Sequence, residues 1–131
     1  MTQGLDTSVV VRLLVGVPAE QAESARRAIE RQPRGSVAIS DLVVGESYFA
    51  LRHHYDVPHA RAVAALAALL ADTRIRSTGV AAQVLAQAPH RESGPGLMDR
   101  LIHAEYQDDD IAMLTFDRAA ARLPGTQLLT A

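Results

Sequence analysis

Four acidic residues are spaced so that together they could do chemistry: Asp6, Glu46, Asp99 and Asp117. Asp6 follows a short, weak strand ending at Leu5. Asp117 leaves the clearest strand in the chain, Ile111 to Phe116. Open parallel sheets bind ligands beyond the carboxyl ends of their strands, so two parallel strands would put both carboxylates at one edge. Either aspartate alone reads as a helix cap; their matched placement points further. Glu46 has Leu42, Val43, Phe49 and Ala50 three and four positions away on a helix, and so is expected inside an apolar stripe. A carboxylate there is costly without a cation or hydrogen bonds. Asp99 falls in the first turn of a helix whose apolar side is Leu97, Met98, Leu101 and Ile102. Alone it would be a favourable helix-dipole contact.

Four converging carboxylates repel one another, and without a cation at least one should titrate above the ordinary range. A hard divalent ion resolves that repulsion. Mg²⁺ or Mn²⁺ takes oxygen ligands, keeps several waters and leaves room for a phosphate. Such an ion lowers the pKa of bound water and neutralises charge building on a phosphodiester. Thr7, Ser8 and Thr115 sit beside the acids and are candidates to orient a carboxylate or a water.

The rest of the chain must position those acids. Asp6 or Thr7 caps a helix carrying Val9, Val10, Leu13 and Leu14, ending near Gly16. Pro18 opens a second helix, Ala19 to Arg31. Val37-Ala38-Ile39 reads as a short buried strand, and Ser40 caps a helix to about Tyr55. Pro58 starts a helix with Val63, Leu66, Leu69 and Leu70 on one stripe. Arg74 to Arg76 alternates like a strand, and Val80 to Gln87 and Leu97 to Gln107 are helical. A short helix follows Asp117, and Thr126 to Leu129 forms an edge strand. Strands alternating with helices imply a parallel sheet covered on both faces.

The totals set bounds. A length of 131 residues fits one domain over 1–131, and 48% hydrophobic content supplies a core. There is no cysteine, which excludes thiol nucleophiles and Cys-based zinc sites. The five histidines lack zinc-ligand spacing. All thirteen basic residues are arginine, so any mechanism needing a lysine is excluded. The net charge of −2 gives no global attraction to nucleic acid. No apolar run approaches a membrane span and no signal-like segment opens the chain, so a cytoplasmic location without membrane contact is expected. Asp108 to Asp110 reads as a solvated turn, Asp41 as part of its helix start, and Tyr48, Phe49 and Tyr55 as packing residues.

Leu5-Asp6-Thr7-Ser8-Val9-Val10 resembles the opening of PIN domains. The Ser40 to Leu51 helix with Glu46 resembles their second acidic element, Met98-Asp99-Arg100-Leu101-Ile102 the third, and Leu114-Thr115-Phe116-Asp117-Arg118 the fourth. The length and arrangement are similar to the small VapC-type toxins of that family. The resemblance implies a three-layer α/β/α sandwich with a short, mostly parallel central sheet. It also implies a Mg²⁺- or Mn²⁺-dependent endoribonuclease acting on RNA, a homodimer, and inhibition by a cognate antitoxin. The metal-holding and catalytic acids it implies are Asp6, Glu46, Asp99 and Asp117. Two positions depart from the pattern: Ser8 stands where asparagine is common, and Gly96 where a further acid often stands. A catalytically weak or inactive PIN-fold binding module, acting through a protein partner, is the alternative. A haloacid-dehalogenase-type phosphatase would want a second aspartate where Ser8 stands, and a receiver domain would want a lysine.

Overall fold

The computed structural model describes residues 2–130, and its elements are set by local signals. β1 spans Gln3–Gly4, and α1 spans Thr7–Val15. Asp6 caps α1 by accepting from the Val9 N–H at 3.2 Å. Gly16 ends the helix with φ +82°, a left-handed conformation that glycine adopts without strain. α2 (Ala19–Glu30) leads to β2 (Val37–Ile39). The Ser40 side chain then accepts from Val43 to start α3 (Asp41–His53). α4 (His59–Leu70) follows Pro58, whose fixed φ suits the residue before a helix. β3 (Ile75–Ser77), α5 (Ala81–Gln87) and α6 (Leu97–Asp108) come next. The chain closes through β4 (Met113–Thr115), a 3-10 turn over Ala120–Arg122, and β5 (Thr126–Leu128).

β1, β2 and β3 form a parallel sheet in that order, flanked by helices, and β4 pairs with β5, also in parallel. The α/β class and parallel pairing expected from the alternation are therefore present. Two details differ. The strand expected over Ile111 to Phe116 is hydrogen-bonded only at its centre, and its end residues Ile111 and Phe116 are exposed. Among the described residues no strand ladder joins β1 to β4. The shared edge expected to unite Asp6 with Asp117 is not built by strand pairing here.

The core is apolar and continuous. Val10 of α1, Val37 and Ile39 of β2, Val44 and Leu51 of α3 and Leu66 of α4 are its largest fully buried apolar side chains. α1 and α3 pack together, so the first turn of α1 and the middle of α3 are held rigidly relative to each other. No helix among the described residues is long and apolar enough to cross a membrane.

Asp41 does more than begin α3. Its carboxylate accepts from the backbone N–H of Val80 at 3.0 Å and of Ala81 at 2.9 Å, so α3 caps α5. Gly79 leaves the space, since a Cβ there would meet the Asp41 Cγ at 2.7 Å.

Ser47 is the opposite case. It is fully buried on α3, and its hydroxyl has no hydrogen-bond partner among the described residues. A buried donor left unmade costs about 1–3 kcal/mol. Ser47→Ala should therefore leave stability unchanged or raise it by about 1 kcal/mol. Urea unfolding of the two proteins decides this, and a clear loss would mean the hydroxyl has a partner in solution.

Asp72 and Arg74 give the fold a pH-dependent tie. Arg74 donates through its side chain and its backbone N–H to the Asp72 carboxylate at 2.7–3.0 Å. Those bonds, the guanidinium first, lower the Asp72 pKa to about 2. A depressed carboxyl stabilises the fold above its unfolded pKa, and this stabilisation is lost as pH falls through the folded one. The loss therefore falls between about pH 4 and pH 2. Both side chains still see solvent, so the contribution is about 1 kcal/mol or less. Asp72→Asn should be slightly less stable than the parent at pH 7, and the difference should shrink as pH falls toward 2, as read by denaturant titration at each pH.

Candidate active site

Asp6 and Glu46 meet through Thr7. The Ser8 hydroxyl donates to Asp6 Oδ1 at 2.6 Å, and the Val9 N–H donates to the same oxygen. The Ser8 bond first, then the Val9 bond, holds the Asp6 carboxyl below its ordinary range. The Thr7 hydroxyl donates to Glu46 Oε1 at 3.0 Å, across the junction of α1 and α3. The two carboxylates thus flank one helix N-terminus, where the α1 dipole favours negative charge.

Glu46 is exposed, not buried in the apolar stripe that the sequence suggested. Its helical neighbours explain the difference: Leu42 is 71% exposed and Phe49 51%, so this stripe of α3 faces outward. The core-facing side of the helix carries Val44, Tyr48 and Leu51 instead. Tyr48 packs as expected, whereas Phe49 and Tyr55 are exposed.

Asp99 stands in the first turn of α6, half-buried. α6 approaches α3 at Gly45, where a Cβ would lie 2.8 Å from the end of the Met98 side chain. Asp117 is exposed, and its Oδ1 accepts from the N–H of Ala119 at 2.7 Å and of Ala120 at 3.1 Å, closing the 3-10 turn. Thr115 supports it by accepting from the Asp117 N–H at 3.0 Å.

Among the described residues no three His, Asp or Glu side chains stand together closely enough to hold one ion. Thr7, next to Asp6, is brought to Glu46 at the α1–α3 junction, Asp99 stands on α6 where that helix meets α3, and Asp117 is turned onto its own loop. The donor chemistry still suits a hard cation. Asp6 is ionised and both acids offer carboxylate oxygens, and Mg²⁺ commonly needs only one or two protein carboxylates beside water and phosphate.

The like-charge contact expected among the four acids occurs at another pair. Glu105 of α6 has its carboxyl pushed up, first by its hydrogen bond to Asp41, then by burial and by the Asp41 charge. Asp6 is shifted the other way. The antiparallel packing of α3 on α6, which sets Gly45 against Met98, also sets Asp41 near Glu105, and no local pattern in the sequence signals it.

Sequence reasoning passed over Arg12 and gave His54 no part in the site. Both line a surface hollow with Thr7 and Ser8. Arg12 stands four residues after Ser8 and so on the same helix face, a spacing visible in the sequence. Its charge is among the causes that hold the Asp6 carboxyl low.

The fold is a parallel α/β fold with acidic side chains at the start of α1 and on the neighbouring α3. The PIN domain model matches residues 5–125, nearly the whole chain, and the protein belongs to the PIN domain family, whose members are generally metal-dependent nucleases. No curated protein and no solved structure matches the chain.

Proposed function

We propose that the protein is a Mg²⁺- or Mn²⁺-dependent endoribonuclease, the toxin of a toxin–antitoxin pair. The observation that carries this is the Asp6–Thr7–Glu46 arrangement: Glu46 of α3 accepts from the hydroxyl of Thr7, the residue next to Asp6, and Asp6 is held ionised. Asp6 and Glu46 would hold the ion, with Asp99 and Asp117 adding negative charge or water-mediated bonds. When bound, the ion would activate water and neutralise charge on the scissile phosphate. Ser8 fixes the Asp6 rotamer, and Thr7 fixes Glu46. Arg12 presents a guanidinium beside them, suited to a phosphate oxygen.

A homodimer and an antitoxin partner are part of this proposal. Exposed apolar side chains support a protein partner: Leu42 at 71%, Leu114 at 59% and Phe116 at 72%. Leu114 lies in β4 and Phe116 just after its end. Purification from the native host should bring down a second small protein and give the mass of a dimer.

The alternative, a binding module without activity, draws support from Asp117, whose carboxylate is engaged in its own turn. The two readings separate in one assay. The nuclease cuts single-stranded RNA with Mg²⁺ or Mn²⁺ and stops in chelator. Intact RNA under every divalent ion, with a folded protein, favours the module, and cutting in chelator removes the metal mechanism.

A further inference from the structure

We propose that the cavity between α3 and the segment leading into α6 takes an unpaired nucleobase of the nuclease's single-stranded RNA, stacked on Phe49. This rests on the ribonuclease reading above. The cavity encloses about 190 Å³, several times the space of one water. It opens beside Asp99, and Phe49 and Met98 line both it and the neighbouring hollow that contains Glu46 and Thr7. A strand whose phosphate lies at the acids can therefore place an adjacent base over the Phe49–Met98 ridge.

The walls fit a planar neutral ring. Phe49 is 51% exposed on α3, one turn beyond Glu46. The His53 ring stands 4.4 Å from it, tilted by 46°, and the His54 ring lies at 6.0 Å. An isolated exposed phenylalanine needs no explanation. One grouped with imidazoles at the mouth of a cavity is a stacking platform, because every base offers a π-face. The back wall is fixed in advance. His59 donates through Nε2 to the Pro89 carbonyl at 3.0 Å, which leaves Nδ1 to accept from the Tyr48 hydroxyl at 2.7 Å. At the rim, Glu92 is held by Arg52 at 2.5 Å, and Arg100 donates through Nε to the Pro95 carbonyl at 3.0 Å. A base inside a duplex cannot enter, so the substrate at this position is single-stranded.

The test is binding, in chelator, of a short single-stranded RNA carrying 2-aminopurine at one position in turn. The wild type should bind it and change its fluorescence at one position. Phe49→Ala should weaken binding about tenfold, the usual scale for one stacked base, and abolish that change. Phe49→Trp should keep both. An abasic nucleotide at the sensitive position should weaken wild type to the level of Phe49→Ala and leave Phe49→Ala unaffected. Phe49 is half in solvent, so an unchanged melting temperature for Phe49→Ala is expected and checks the fold. Equal binding by wild type and Phe49→Ala, no abasic effect, or no RNA bound at all overturns the proposal. Cleavage with Mg²⁺ and no effect at Phe49 leaves the nuclease standing and removes the pocket. Stacking without cleavage under any metal does the reverse.

Discussion

Asp6→Asn and Glu46→Gln should each lower metal-dependent RNA cleavage by roughly 100-fold or more, since charge stabilisation by a metal is worth several kcal/mol and each 1.4 kcal/mol is tenfold. The fold should survive both changes. Asparagine caps a helix about as well as aspartate, so in Asp6→Asn the amide oxygen can still accept from Val9. Glutamine keeps a carbonyl oxygen for the Thr7 hydroxyl. What each loses is charge at the helix junction. Thr7→Val probes the support of Glu46: it leaves both charges and removes only the donor that orients that carboxylate. A loss of about 10–100-fold is expected there, the scale on which supporting hydrogen bonds tune metal sites. Single-turnover cleavage at saturating Mg²⁺, beside melting curves in chelator, measures all three. Full activity in Asp6→Asn or Glu46→Gln would take that residue out of the chemistry.

Leu66→Ala should have the largest effect on stability. Leu66 is 1% exposed at the centre of the core formed by α1, β2, α3 and α4. Truncating a leucine there costs about 2–5 kcal/mol, through lost burial and the cavity left behind, and should lower the melting temperature by roughly 10 °C. Leu42→Ala is the matched control. The same change at a side chain 71% exposed should stay within about 0.5 kcal/mol of the parent. Denaturant unfolding of both variants tests the core assignment. Equal losses at the two positions would mean that Leu42 is buried against something in solution, which the dimer proposal would supply.

The contrast between those leucines shows what the sequence could and could not convey. Helix limits were legible because capping is local. Asp6, Gly16, Ser40 and Pro58 each mark an end by their own chemistry, and α1, α3 and α4 begin where they indicate. β2 was legible as a short apolar run. The outward face of α3 was not. Leu42, Glu46 and Phe49 form as good a stripe as Val44, Tyr48 and Leu51, and only the neighbouring elements decide which one the core takes. Glu46 was therefore expected to be buried for a reason that does not hold, although it was singled out as an acid of interest. The bond from Thr7 joins residues 39 apart in sequence, and the partnership of Glu105 with Asp41 joins two helices. Such pairings depend on packing, which spacing alone does not encode. The turn that engages Asp117 is local, and the cap reading of that residue anticipated it.

The separate β4–β5 ladder has a consequence for motion. A parallel pair of three-residue strands closed by a single 3-10 turn, with no ladder to β1 among the described residues, is a small cooperative unit of its own. Met113 and Ala120 are its buried anchors, while Leu114, Phe116 and Asp117 face solvent. Units with few buried contacts open at lower free energy than the global transition. Backbone amides of β4 and β5 should therefore exchange with deuterium well before those of β2, whose strand is flanked on both sides. Asp117 rides on that unit. Its carboxylate is attached to this small unit, and Asp6 and Glu46 to α1 and α3, which pack on each other. Excursions of residues 113–128 would change the distance of one negative charge from the other two without disturbing the helices that hold them.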